Sequence, residues 1–270
     1  MNNLVYIFSI PKEGETQENN QDAAFCNDNG TLLAIADGVS SSLFSKEWAQ
    51  IITKEFCKNS YVSLKDLCEN WYCWLHPLQE NWRSFYLSKV SSLPWYAKGS
   101  IHKDHGSATF LGLKIYKCIS GKGYWEAISI GDSCLFQIYP QAKRINSYPQ
   151  MKSNEFNSIS RCASSLPEYN SCLPYFWSGE YNQDDYFVLA TDAIAQWIVK
   201  SLETQSFNED ILRIKSNEKF SKYIFDLRFR KEIHNDDTSI VITFPKIHSG
   251  NINSLESNSN KRNKIHILNR

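Results

Sequence analysis

The sequence predicts an α+β layered domain with largely antiparallel sheets. Three observations carry this. Short apolar runs rich in β-branched and aromatic residues come first, helical-period stretches follow, and further apolar runs close the chain. Most neighbouring runs are joined by hairpin-type turns rather than by long crossovers. No linker-like shift in composition interrupts residues 1–245, which are read as one domain, followed by a polar, mobile tail at 246–270.

The elements read in order as follows. Residues 4–10 are apolar with Val5, Ile7 and aromatic Tyr6 and Phe8, and form a strand; residues 11–20 are polar, contain Gly14, and form a loop. Asp22 opens a strand at 23–27. Asp28-Asn29-Gly30 is a hairpin turn signal, and 31–36 is the return strand. That turn places Asp22 and Asp37 at the same end of one hairpin.

From Ser42, a candidate N-cap, the apolar period becomes helical through Phe44, Trp48, Ile51, Ile52 and Phe56. A second helical region covers 63–90, with Pro77 expected to kink or split it. The tryptophans at 48, 71, 74 and 82 are read as helices laid on a sheet rather than as a stacking platform for a ligand. Residues 93–105 form a loop. Strands follow at 107–116, 124–130 and 134–139, the first two joined through 117–123 and the last two by the tight turn Gly131-Asp132-Ser133. Residues 141–185 lack a pattern and are expected to be irregular, with a flap beside the site. A buried strand at 186–190 leads through Thr191-Asp192 into a helix carrying Ile194, Trp197, Ile198 and Leu202. Residues 208–233 look helical with breaks near Ser216 and Ser221, and 239–244 form the last strand.

Composition excludes several functions. The 29 acidic residues balance 29 Lys plus Arg, so the basic excess typical of nucleic-acid or membrane-surface binders is missing. The N-terminus lacks the basic and apolar regions of a signal peptide, and no window reaches the roughly 20 apolar residues of a membrane span. The eight cysteines show no Cys-x-x-Cys and no zinc spacing; scattered among apolar neighbours, they are expected to be small core residues of a reduced, cytoplasmic protein.

The chemistry lies in aspartates at element ends. Asp22 starts a strand, Asp37 and Asp192 end strands ahead of helices, Asp236 precedes the last strand, and Asp132 sits in a turn. Singly, each has an ordinary explanation as a helix cap or turn residue. Together they ask for more, because two carboxylates about 4 Å apart repel by about 4 kcal/mol at an effective dielectric near 20. A converging cluster therefore either protonates or holds a cation, and oxygen-only ligands suit Mg²⁺ or Mn²⁺.

Read in order, the chain resembles the metal-dependent type 2C protein phosphatases, in a divergent, mainly bacterial form. Asn20-Gln21-Asp22-Ala23, Ala36-Asp37-Gly38-Val39, Gly106-Ser107-Ala108-Thr109, Ser129-Ile130-Gly131-Asp132-Ser133, Leu189-Ala190-Thr191-Asp192 and Asp236-Asp237-Thr238-Ser239 match that family's short motifs in sequence. The resemblance implies two packed antiparallel β-sheets flanked by α-helices, an αββα sandwich. It also implies hydrolysis of phosphoserine and phosphothreonine by direct attack of a metal-bridging hydroxide. In that reading Asp37 bridges two Mg²⁺ or Mn²⁺ ions and the Gly38 carbonyl binds one of them. Asp192 and Asp236 complete the other shell, Asp22 acts through water or as an anchor, and Asp132 with Asp192 holds a third, weaker ion. The catalytic residues so implied are Asp37, Asp22 and Asp192. The partner implied is a phosphorylated protein, the product of a Ser/Thr kinase, met by a monomer.

This chain departs from the pattern at several points. Gln21 stands for the usual Glu, Ala193 for Gly, Cys134 for Arg, Val39 where some members carry His, and Gln17 where eukaryotic members carry a phosphate-binding Arg. Those departures keep a second reading open, a pseudophosphatase that binds a phosphoprotein or kinase without turnover.

Overall fold

The computed structural model describes residues 2–92, 105–116, 122–156 and 161–246. Most of the loop expected at 93–105, most of the connection at 117–123 and the tail beyond 246 lie outside them. The strands are, in chain order, β1 (Leu4–Ile10), β2 (Ala23–Cys26), β3 (Leu32–Ala36), β4 (Ser107–Ala108), β5 (Phe110–Tyr116), β6 (Lys122–Ile130), β7 (Cys134–Tyr139), β8 (Arg144–Tyr148), β9 (Ala163–Ser164), β10 (Tyr175–Asn182), β11 (Tyr186–Ala190) and β12 (Thr238–Phe244). The helices are α1 (Ser45–Lys58), α2 (Leu64–Glu69), α3 (Trp71–Ser91), α4 (Asp192–Glu203) and α5 (Asn217–Phe229).

One sheet has the order β1-β12-β11-β7-β8, the other β10-β6-β5-β3-β2, and β4 pairs with β9 apart from both. The pairings are antiparallel. The period of two divides each strand between layers. Leu33 and Ile35 of β3 join Leu111, Leu113, Trp125, Leu135, Phe187, Leu189 and Val241 in the core between the sheets. Leu32, Ala34 and Ala36 face the other way, against Trp48, Ile52 and Phe56 of α1 and Trp71 and Leu75 of α3. On the far side Val188, Ile240 and Ile242 meet Ile194, Ile198, Phe220 and Ile224 of α4 and α5. The expected αββα sandwich is thus present. It explains why β3 is apolar at every position: both its faces are covered. Trp48, Trp71 and Trp82 are buried in the helix layer, as the reading of the tryptophans required.

Several local expectations are corrected. Ser42 does not cap α1; Phe44 does so in a left-handed conformation (φ 48°), without a side-chain bond. The Ser42 hydroxyl is used elsewhere, donating to the Val39 carbonyl at 2.9 Å and accepting from the Ser107 amide at 2.9 Å. The helix predicted over 63–90 breaks at Asn70 rather than at Pro77, which α3 accommodates inside its run. Residues 141–185 are not irregular throughout, since β8, β9 and β10 lie there. β8 and β10 are edge strands bonded on one side only, and partial exposure blurs their alternation. The helix read over 208–233 is a short 3₁₀ turn at Glu209–Arg213 followed by α5. Nor are all cysteines core residues: Cys57 and Cys134 are buried, Cys73 is exposed, and Cys26, Cys68, Cys162 and Cys172 are intermediate. Among the described residues no helix is long and apolar enough to cross a membrane.

Glu126 anchors the helix layer to its sheet. It is 7% exposed, and its Oε2 accepts from the Leu64 amide at 2.7 Å and the Tyr116 hydroxyl at 2.6 Å, with the Ser63 hydroxyl at 3.1 Å from Oε1. A carboxylate is therefore placed on the free amides that open α2. Glu126→Ala should lower stability by about 2 kcal/mol, or roughly 4–8 °C in Tm, whereas Glu126→Gln, which still accepts the Leu64 amide, should lose less. Equal melting temperatures for all three proteins would show that the bond to α2 contributes nothing.

Candidate metal centre

The β2–β3 hairpin brings the first two acids together. Ala23 pairs with Ala36, so Asp22 and Asp37 are the next residues outward on the two strands. Past Asp37 the chain turns sharply: the Gly38 amide donates to the Gln21 carbonyl at 3.3 Å, and Gly38 bridges Ala108. A Cβ on Gly38 would stand 2.8 Å from the Gln21 carbonyl oxygen and 3.0 Å from the Ser45 backbone, so the position admits no side chain.

Thr109 ties Asp37 to the turn that carries Asp132. The Asp37 amide donates to Thr109 Oγ1 at 3.0 Å and the Thr109 amide donates back to the Asp37 carbonyl at 2.8 Å. Thr109 Oγ1 also lies 2.9 Å from Ser133 Oγ. This use of Thr109 interrupts the strand predicted over 107–116, giving β4 and β5.

Asp192 is the first residue of α4, with its own carboxylate accepting the Ala193 amide at 2.6 Å. Thr191 stands at the N-cap but makes no side-chain cap. Its hydroxyl instead donates to Asp22 Oδ2 at 3.0 Å and accepts the Ser239 amide at 2.9 Å, joining β12 to the β2 end. Asp237, 4% exposed, accepts the Lys12 amide at 2.8 Å and the Gln21 amide at 2.7 Å, pinning both ends of the 11–21 loop beside Asp236. Asn20 Oδ1 accepts the Asp22 amide at 2.9 Å. Thr109, Thr191, Asp237 and Asn20 lie inside the quoted motifs, yet their positioning duties were invisible there because their partners are remote in sequence.

The charges of the other four acids all act on Asp37. The Asp37 carboxyl is held well above the ordinary carboxylate range, first by burial and then by the charges of Asp22, Asp192, Asp236 and Asp132. Asp22 is pushed up to about 8, mainly by burial, with Asp192 and Asp237 adding to it against hydrogen bonds from Ser239 and Thr191. Asp192 is pushed up to about 7 by burial, Asp132 and Asp236. Asp37 is thus the acid on which the other four all bear. Asp22 Oδ1 is buried without a hydrogen-bond partner, and Asp22 and Asp132 are nearly sealed, while Asp37, Asp192 and Asp236 keep part of their surface open.

An orphaned carboxylate oxygen amid mutually repelling acids fits a hard cation. Among the described residues, however, no three His, Cys, Asp or Glu side chains stand around a single point as a ready chelating set. Oxygen donors of this kind suit Mg²⁺ or Mn²⁺, ions that keep several waters and take one or two carboxylates each. The capping explanation does not hold for Asp37, since α1 begins only at Ser45.

Comparison with known proteins places the chain. A family model described as protein phosphatase 2C matches residues 13–227. Solved structures resemble the fold at low identity. PppA, described as a key regulatory component of T6SS in Pseudomonas aeruginosa, is 14% identical with a TM-score of 0.58, covering 90% of this chain and 97% of that one. The serine/threonine phosphatase Stp1 from Staphylococcus aureus is 12% identical with a TM-score of 0.54, covering 91% and 96%. The catalytic domain of the serine/threonine phosphatase PstP, in complex with two manganese ions, is 15% identical with a TM-score of 0.53, covering 90% and 97%. No curated protein sequence matches.

Proposed function

Because the chain belongs to the protein phosphatase 2C family, matched over residues 13–227, we propose that it hydrolyses phosphoserine and phosphothreonine in proteins with Mg²⁺ or Mn²⁺. The observation that carries this reading is the convergence of Asp22, Asp132, Asp192 and Asp236 on Asp37. Two bound ions would supply an acidic water as nucleophile and offset charge on the phosphoryl oxygens.

The chain's own groups divide the work. Asp37, on which the other four acids bear, would help hold both ions, and the Gly38 carbonyl would help hold one of them. Asp192 and Asp236 would help hold the other. Asp22 has one oxygen engaged by Thr191, so it acts through water from Oδ1 or as an anchor. Asp132, with Asp192, would hold a third, weaker ion. Val39 cannot donate a proton, which leaves protonation of the departing alkoxide to water. The substrate is a phosphoprotein made by a Ser/Thr kinase, and the enzyme acts as a cytoplasmic monomer.

The reading is tested by hydrolysis of p-nitrophenyl phosphate and a phosphothreonine peptide with and without Mn²⁺. Turnover that appears with Mn²⁺ and vanishes with EDTA is the expected result. Its absence from folded protein would remove the enzyme reading. One observation favours the alternative pseudophosphatase: Gln21 brings no charge, and its Oε1 already accepts the Ser40 hydroxyl at 2.7 Å.

A further inference from the structure

A stripe along α4 leads away from the acids. Asp192, Gln196 and Lys200 follow one another at four-residue steps, and up to Lys200 every other residue of the helix is buried. Gln196, Trp197 and Lys200 form one wall of a cleft of about 510 Å³. The facing wall is the end of α5 and the segment that returns to β12, with Arg228, Lys231 and Asn235. That wall is tied to the acid site. Arg228 Nη2 donates to the Asp236 carbonyl at 2.6 Å and the Thr238 hydroxyl at 3.1 Å, and Nη1 donates to the Pro11 carbonyl at 2.9 Å. The Gln196 side-chain amide donates to the Ser153 carbonyl at 2.9 Å, which fixes a third side.

The cleft is basic. Lys200, Arg228 and Lys231 line it against one acid, Glu232, which faces Arg230 at 3.2 Å. Nearby Glu203 is engaged by the Ser153 amide and hydroxyl. Among the described residues, Lys200 and Lys231 enter no ion pair. Lys231 also holds its place at a conformational cost. Its amide donates to the Arg228 carbonyl at 2.9 Å and the Glu232 amide donates to the Leu227 carbonyl at 2.9 Å, the turn that ends α5. Lys231 takes the left-handed position of that turn (φ 57°), where glycine is usual. A cation thus stands where the backbone alone favours glycine.

We propose that this cleft is a second binding site for the substrate. It takes an acidic side chain of the phosphoprotein, roughly three or four residues from the phosphorylated one. From Asp192 to Lys200 the helix advances about 12 Å. An extended peptide covers that span in about three to four residues, at about 3.3 Å each. A Glu or Asp so placed meets Lys200 and Lys231 while the phosphate lies at the acids. Arg228, bonded to the Asp236 carbonyl, keeps the cleft in register with the acid site. Both lysines are exposed, so each ion pair adds modestly and is screened by salt. The gain lies in KM rather than kcat, because contacts remote from phosphorus are made alike in ground and transition states. The effect on turnover rests on the phosphatase reading; the binding of the acidic peptide does not.

The test compares phosphothreonine peptides that differ only in Glu or Gln at the third and fourth residues, before or after the phosphothreonine. With Mn²⁺ at low salt, the Glu peptide of one side should show a kcat/KM about fivefold higher than its Gln partner, through a lower KM. Salt at about 0.5 M should erase the difference. Lys200→Ala combined with Lys231→Gly should bring the ratio of Glu to Gln peptide close to one. Ala suits the helix and Gly the left-handed turn, so this protein should melt no lower than the parent. Lys200→Gln with Lys231→Asn, a second pair compatible with helix and turn, should act the same way. No preference in the parent would overturn the proposal, as would a preference that survives both double substitutions. If the parent hydrolyses no peptide, the phosphatase reading fails. Fluorescence anisotropy of the same peptides with Mn²⁺ then decides the cleft, by the ratio of their Kd values.

Discussion

Asp37→Asn should abolish metal-dependent turnover while leaving the protein folded. The substitution keeps shape and hydrogen-bonding capacity and removes one charge from the place where Asp22, Asp192, Asp236 and Asp132 all act. If Asp37 bridges the ions, neither retains its position, and kcat/KM should fall by about a thousandfold or more, equivalent to about 4 kcal/mol or more of transition-state stabilisation. The apo protein should not be weakened and should melt at the same or a higher temperature, because burial and four neighbouring acids already oppose the charge that is removed. A cap would behave differently: Asn caps nearly as well as Asp, so activity and stability would both stay put. Turnover at saturating Mn²⁺ and apo Tm, measured on the same preparation, separate the cases. Activity within tenfold of the parent would sink the bridging role.

How much of this could be read in the sequence depends on the range of the interaction. The hairpin at Asp28-Asn29-Gly30 and the period of two in its strands were local, and they put Asp22 and Asp37 at one end, as the Ala23–Ala36 pair shows. The helix layer was equally legible, since its tryptophans recur at helical spacing. Phe44 in a left-handed conformation was not legible, because its start of α1 is imposed by Ser42 bonding to Ser107 far along the chain. Thr191 was visible only as a motif residue leading into the helix and is a clasp, its partner Asp22 lying 169 residues away. Asp237 was quoted only within the closing motif and binds the Gln21 amide, 216 residues away. Edge strands β8 and β10 were missed because one bonded neighbour and a half-exposed face leave little alternation to detect. Local patterns gave elements and ends; contacts that aim the carboxylates are long-range and needed the fold.

The stability of the apo protein should fall as pH rises from about 5 to 8, and Mn²⁺ should reverse the trend. Asp22 moves from the ordinary value of 3.8 to about 8 on folding, and Asp192 to about 7. Between those limits the folded chain binds more protons than the unfolded chain, so raising the pH takes protons from the native state and costs stability. The decline begins above pH 3.8 and levels off once Asp22 has ionised near 8. A divalent ion removes the cause, because it supplies the positive charge that buried, mutually repelling carboxylates lack. Protons compete with it at low pH, so the gain in Tm on adding Mn²⁺ should be larger at pH 8 than at pH 5.5. At a hundredfold excess over Kd the gain is about 2.7 kcal/mol, or roughly 5–10 °C for a protein of this size. Asp37→Asn should abolish the Mn²⁺ response and lessen the pH slope. The Asp37 carboxyl, itself held above the carboxylate range, no longer titrates, while the parts from Asp22 and Asp192, set by burial and the other acids, remain. A melting temperature that ignores both pH and Mn²⁺ in the parent protein would mean that the five acids do not form one electrostatic unit. The metal assignment would fall with that result, whatever the fold.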